Sequence, residues 1–549
     1  METQRKALPI HNIRNDLIDK LKTSQVIVVS GGTGSGKSTQ CPQYILEDAI
    51  QNNQGSTTKI LVTQPRRIAA ISVSERVSQE RYEKDASSDN SSVGYAVRFK
   101  SKKPRNIGGS IEFVTTGILL RRLLGDDSLL QDISHVMIDE VHERDINTDF
   151  LLILFRDLLK KRPDLKLILM SATLDAESFG EYFASNNLTT EVPVLSVPAK
   201  PRHPVEVHYL EDLLKMNDED NYNNNIETEE EQEDDSSRKD TSSTSSSSSS
   251  SYTKKNNKID FRVTMTGLVS EIALHLSQIE TDSDRSGSIL CFLPGMDEIK
   301  QCMKYIEENC SRDLRNKIQI LPLHSTIPQD DQQKVFLPAK PGTIKLILST
   351  NIAESSVTID DVLAVVDSGL VREMNFDAQT AMNAMETNPT SKASATQRLG
   401  RAGRVAPGKC YRLYTRSNLS LMDDRPTPEI QRTALEATCL QTCSLINSSS
   451  DDDSDDNTDI TGVEDFLSRA MDPPVDGAIA FAMDRLTKLG AIATNHNRNG
   501  REYLTPLGRT LARLPLDPAT GKMLVMGVVM KCLDPLLTAA SCFSSRNAF

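Results

Sequence analysis

Tryptophan is absent from this chain of 549 residues, and aromatic residues make up only 5% of it. Extensive platforms for stacking bases are therefore not evident. No run approaches the roughly 18 to 20 apolar residues of a membrane span, and the opening METQRKALPIHN lacks the apolar core of a secretory signal. The expected address is intracellular, cytoplasmic or nuclear, with no membrane partner. No CxxC pair occurs among the nine cysteines. They are scattered and fall mostly inside apolar stretches, which fits reduced structural thiols rather than a disulfide frame or a sulfur-ligated zinc.

Excess positive charge is also lacking: the formal net charge is -13. Its location matters more than its sum. Residues 216–240 carry eleven acids and two bases, and 451–459 carry six acids and no base, which leaves about +2 for everything else. The ordered part is thus not repelled by a polyanion. The first acidic block runs into TSSTSSSSSSS at 241–251, and such a composition cannot bury enough apolar surface to order itself.

A chain of this length is too long for one core, and three or four units are expected. Short, continuously apolar stretches at 25–30, 59–63, 133–138 and 166–170 alternate with helical stretches, the pattern of a buried parallel sheet. The pattern recurs at 288–293, 317–323, 344–350 and 363–369. This predicts an α/β domain at 1–213, a disordered insert at 214–258, a second α/β domain at 259–448 and an acidic loop at 449–461. Leu and Ala at helical spacing predict a small, mostly helical module after residue 462.

Between a strand and a helix-like run stands GGTGSGKST: Gly31, Gly32, Thr33, Gly34, Ser35, Gly36, Lys37, Ser38 and Thr39. It matches the phosphate-binding pattern G-x-x-x-x-G-K-[ST]. Glycines let backbone N–H groups wrap a phosphate chain, Lys37 neutralises β- and γ-phosphate charge, and the Ser38 hydroxyl can ligate magnesium. The plainer alternative is a Gly-rich turn before a helix.

A second stretch, MIDEVHERD at 137–145, ends another apolar run in carboxylates and a histidine. Alone it fits a transition-metal site, a hydrolytic acid/base pair, or the magnesium and water-activating end of a nucleotide site. Beside the phosphate loop the third reading is preferred: Asp139 holds magnesium and Glu140 activates water. Zinc would need a second histidine one helical turn away or a third ligand nearby, and EVHER offers one histidine.

With these two elements, the ordered motifs TQPRRIAA (63–70), TTGILLRRLL (115–124), SAT (171–173), FLPGMDEI (292–299), STNIAESSVTIDDV (349–362) and QRLGRAGR (397–404) resemble the DEAH/RNA-helicase-A group of superfamily 2 helicases. The resemblance covers nearly the whole chain outside the acidic segments. It implies two tandem RecA-like domains, a winged-helix module at 462–530 and the start of a helical ratchet domain at 531–549, with no accessory domain before the phosphate loop. The implied activity is hydrolysis of ATP, other NTPs being accepted, with Mg2+ to move along and unwind RNA 3′-to-5′.

The same resemblance implies roles for individual residues. Arg401 and Arg404 are arginine fingers, Gln397 positions the attacking water, and His142, Ser171 and Thr173 couple hydrolysis to strand movement. Arg76 and Phe336 sandwich the base. Arg66, Thr115, Thr116, Gly117, Thr350 and Asn351 grip a single strand through its backbone, independently of sequence. An activating protein partner is possible. Rival readings are an RNA-stimulated NTPase that remodels ribonucleoprotein without processive unwinding, and an inactive RNA clamp.

Excision of residues 218–251 is expected to leave melting temperature and hydrolysis rate nearly unchanged, because a solvated insert makes few packed contacts and long loops cost little closure entropy. A large fall in melting temperature would mean that the segment is docked.

Overall fold

The computed structural model describes the chain apart from residues 1, 33, 84–90, 106–107, 126–129, 173–175, 186–190, 199–202, 216–263, 284, 355–358, 378–381, 405, 449–461, 496–500 and 545–549. Most of the expected insert, the acidic loop, Thr33 and Thr173 thus lie outside the described residues.

The apolar runs do become strands of buried parallel sheets. The first sheet contains β1 (Val26–Ser30), β2 (Lys59–Gln64), β3 (Val93–Val97), β4 (Lys100–Lys102), β5 (Ser110–Thr115), β6 (His135–Ile138), β7 (Lys166–Ser171) and β8 (Val194–Ser196), in the order β4-β3-β5-β2-β6-β7-β1-β8. Every pairing is parallel except β3 with β4. Helices cover both faces, so β1 reads Val-Ile-Val-Val before its closing serine, and no polar alternation is needed.

The second sheet is wholly parallel: β9 (Val205–Tyr209), β10 (Gly287–Phe292), β11 (Ile318–Leu323), β12 (Ile344–Ser349), β13 (Val362–Asp367) and, after the antiparallel hairpin β14 (Leu370–Asp377) and β15 (Met382–Pro389), β16 (Gly408–Arg412). Its order is β11-β12-β10-β13-β16-β9. Strand β9 departs from the expected division at residue 213. It lies before that boundary yet forms the edge of the second sheet, paired with β16. Only one side of an edge strand is hydrogen-bonded, and VEVHY carries polar residues at every second place, so its sequence does not announce which sheet it joins.

The third unit is the expected module of helices and a small hairpin, β17 (Ile492–Asn495) with β18 (Arg501–Leu504). Its core begins earlier than expected, since Cys439, Leu440 and Cys443 of the helix Glu436–Ser448 belong to the same apolar cluster as Phe466, Leu467 and Leu486. That cluster continues without a break into the first domain, where the Phe150 ring lies 5.2 Å from that of Phe466. The winged-helix module is therefore packed on the first-domain helices Thr116–Gly125 and Ile146–Lys161. Beyond it, helices Pro518–Val529 and Leu533–Ser544 form a final pair. No helix among the described residues is long and apolar enough to cross a membrane.

Phe466→Ala is expected to cost about 3–5 kcal/mol, the usual range for emptying a buried aromatic site, because Phe466 is only 2% exposed. Urea unfolding measures this loss. Limited proteolysis should show the winged-helix module opening first.

Candidate functional site

Strand order brings the motif loops together. The phosphate loop follows β1, Asp139 follows β6, and β7 lies between those strands. Gly34 and Gly36 take φ of +78° and +96°, a left-handed conformation that side chains other than glycine rarely adopt. Lys37 opens the helix Lys37–Gln51, and its Nζ donates to the carbonyls of Gly31 and Gly32. The loop is held from outside as well. Ile10 N–H donates to Ser35 O at 3.1 Å, and Arg5 reaches Gln40 and Glu47 at 2.7 and 2.6 Å.

Asp139 is 1% exposed. Its Oδ2 accepts from Gln64 Nε2 at 2.6 Å and its Oδ1 from Glu140 N–H at 2.9 Å. Burial, then the Glu140 charge, pushes its carboxyl above the usual range, while the Ser38 hydroxyl and Lys37 oppose the shift. The Ser38 hydroxyl and the Asp139 carboxylate are thus close neighbours. Two hard oxygen donors beside a lysine form a set that fits magnesium.

Glu140 and Arg144 both have positive φ, +53° and +50°, on either side of the tight turn Val141–Glu143. Non-glycine residues hold that conformation only where the surroundings impose it. The surroundings here are explicit. His142 Nδ1 lies 3.6 Å from Glu140 Oε2 and accepts from Ala172 N–H at 3.2 Å, while Ser171 O accepts from Gly31 N–H at 3.1 Å. The carboxylate end, the Ser171 segment and the phosphate loop are therefore linked in one chain of contacts. Arg144 donates to Asp149 at 2.6 Å and to Asp472 at 2.6 Å, and its carbonyl accepts from Glu429 N–H at 3.0 Å. This ties the turn to the C-terminal module.

The second domain supplies the opposite wall. A Cβ placed on Gly34 would lie 3.7 Å from the guanidinium carbon of Arg404, so Arg404 lies against the phosphate loop. Arg401 is 4% exposed. Burial and the Arg404 charge both disfavour its own charge, and Glu140 and Glu354 favour it. A guanidinium stays charged in proteins, so two cations are crowded beside the loop and the carboxylates. Gln397 lies half-buried on the helix Lys392–Leu399 that leads to them.

That helix is anchored by residues to which the motif reading gave no role. Arg398 is 1% exposed and bridges Glu354 at 2.6 Å and Asp367 at 2.7 Å. Tyr414 Oη donates to Asp367 as well, at 2.9 Å. Glu354 and Arg398 stand inside the quoted motifs, but only their meeting across the second sheet distinguishes them from neighbouring polar residues.

Other expected residues are distributed unevenly. Arg66 pairs with Glu143 at 3.7 Å and its charge is felt at Glu354 and Arg401. Thr115 and Gly117 are half-buried and Asn351 is exposed, whereas Thr116 and Thr350 are buried. Arg76, half-exposed, pairs with Glu80 at 2.8 Å, and Phe336 lies half-buried against the second-domain core.

Family comparisons agree with this arrangement. A DEAD/DEAH box helicase model matches residues 11–180 and a helicase conserved C-terminal domain model matches 271–406. Models of the helicase associated domain (HA2) match 482–516 for its winged-helix part and 517–549 for its ratchet-like part. The chain belongs to the DExH/DEAH-box helicases of superfamily 2. It is 38% identical over 572 residues to the mouse ATP-dependent DNA/RNA helicase DHX36, an alignment taking in 100% of this chain and 53% of that protein. An Arabidopsis thaliana DExH-box ATP-dependent RNA helicase, DExH3, is 38% identical over 99% of this chain and 44% of its own length. RNA editing associated helicase 2 of Trypanosoma brucei brucei is 39% identical over 98% of this chain and 23% of its own. The chain thus spans about half, or less, of the length of these relatives.

Arg398→Met is expected to lower stability by about 3–5 kcal/mol, since it strands two buried carboxylates. The loss should be larger at pH 8 than at pH 5. Burial already raises Glu354 above 4.5 with the arginine beside it, and removing the arginine raises it further. The folded state then binds protons that the unfolded chain releases, so stability falls as pH rises above that value. Urea unfolding at the two pH values checks this, and an equal loss at both would count against it.

Proposed function

We propose that this chain is the motor core of an ATP-dependent RNA helicase, hydrolysing NTP with magnesium to move along a single strand of RNA and unwind or remodel it, in the 3′-to-5′ sense. The observation that carries the reading is the meeting of two walls: Arg404 against Gly34 of the phosphate loop, and Arg401 within the field of Glu140. Arginines of one domain beside the phosphate loop of another make hydrolysis depend on domain closure, and repeated closure is what moves a strand.

In this mechanism the phosphate loop and Lys37 hold the β- and γ-phosphates, and Arg401 and Arg404 meet the charge that develops on the transferred group. Glu140 takes the proton of the attacking water, which Gln397 helps to position. Ser38 and Asp139 would hold magnesium, which neutralises phosphate charge when bound. The hydrogen bond from Ala172 N–H to His142 supports a coupling role for His142 and Ser171: a change at the phosphates is passed to the segment after β7. Arg76 and Phe336 stack on the base, and such contacts are tolerant of base identity. Thr115, Gly117 and Asn351 are accessible for backbone contacts with the strand, and Thr116 and Thr350 support them from beneath. RNA is favoured because the Arabidopsis and trypanosome relatives carry RNA in their names; the mouse relative is named for both DNA and RNA.

Glu140→Gln should bind Mg-ATP as the parent does and lose about 10²–10⁴-fold in turnover, the range that a positioned general base contributes. Single-turnover hydrolysis decides it. A rate within a few-fold of the parent would assign the water-activating role elsewhere, and strand displacement measured beside hydrolysis separates unwinding from remodelling alone.

A further inference from the structure

Strand β12 is an apolar run interrupted by one charge, Lys345. It lies between β11 and β10, and the side chain of Lys345 is 2% exposed. Burying an ammonium is costly unless each donor is satisfied. Its Nζ donates to Val335 O at 3.0 Å and Leu337 O at 2.6 Å, and meets Asp361 Oδ2 at 3.0 Å. These three partners match the three donors of an ammonium. The two carbonyls belong to the residues on either side of Phe336. Asp361 is itself fixed, accepting from Ser288 Oγ at 2.6 Å and from Ala339 N–H at 3.0 Å.

We propose that Lys345, with Asp361, is a positioning residue of the nucleotide site: it fixes the turn Lys334–Phe336 so that the Phe336 ring is presented to the base, and it thereby sets NTP affinity without touching nucleotide. This rests on the reading of Phe336 as the stacking residue. The first domain repeats the device. Glu80, 5% exposed, accepts from Arg76 Nε at 2.8 Å and from Gln40 and Gln43 of the phosphate-loop helix at 2.7 and 2.9 Å. Each jaw of the base clamp is thus held by one buried ion. An apolar residue like its neighbours would pack β12 equally well but would leave the Phe336 turn with two carbonyls lacking this donor.

The test compares the parent chain, Lys345→Met, Phe336→Ala and the double variant in steady-state hydrolysis of ATP, GTP and ribose 5′-triphosphate, which has no base. Lys345→Met should raise KM for ATP and GTP about five- to tenfold with kcat within about twofold, and leave KM for ribose 5′-triphosphate unchanged. Added to Phe336→Ala, it should change KM for ATP by less than about twofold, because both act through the same contact. If Phe336→Ala leaves KM for ATP unaltered, the stacking reading fails and the proposal falls with it. If Phe336→Ala raises KM while Lys345→Met does not, or does so equally for ribose 5′-triphosphate, stacking stands and the role of Lys345 is overturned. Should Lys345→Met not fold, Asp361→Asn carries the same test: a smaller rise confined to the base-bearing substrates supports the proposal, and no rise overturns it.

Discussion

Two guanidinium groups, Arg401 and Arg404, are crowded together, Arg404 against the loop that precedes Lys37 and Arg401 within the field of the Glu140 and Glu354 carboxylates. Charges of like sign separate when water is available to solvate them, so this arrangement persists only where each wall is anchored from behind. On the second domain the anchor is Arg398 between Glu354 and Asp367, an ion network buried beneath the helix that leads to Arg401 and Arg404. On the first it is Gln64 and the backbone around Asp139. A polyphosphate with its metal is the kind of ligand whose charges complement both walls at once.

The turn that follows Glu140 connects this electrostatic centre to the rest of the molecule. It faces the segment after β7 through His142, and the winged-helix module through Arg144 and Asp472. The contact between Ile146 N–H and Glu429 at 3.0 Å runs beside that ion pair. The turn that carries Glu140 is therefore joined to a module whose apolar core is already continuous with the first domain.

The same logic governs Arg76 and the turn around Phe336, whose geometry is fixed from behind. Glu80 is a buried ion that accepts from Arg76 directly, and Lys345 is one that donates to the carbonyls on either side of Phe336. Stacking depends on orientation far more than on base identity, so rigid supports suit the stacking role proposed for Arg76 and Phe336.

The sequence by itself determined the two parallel sheets, because β1, β2, β6, β7, β10, β12 and β13 each have a run of apolar residues at their centre without polar alternation, and only a sheet covered on both faces accommodates such runs. It also determined the phosphate loop and the carboxylate pair, where chemistry requires particular residues at short, fixed spacing. The edge strand β9 and the early start of the C-terminal core at Cys439 were not legible, because edge strands and amphipathic helices do not encode which neighbour they pack against. Nor were the roles of Arg398, Arg144, Glu80 and Lys345. Their partners stand 44 and 31 residues away for Arg398 and 328 for the farther partner of Arg144, and a local pattern cannot show a salt bridge closed by the fold. The tertiary structure alone decided that Arg66 pairs with Glu143, since an arginine after a strand can turn either way until a neighbouring loop offers it a carboxylate.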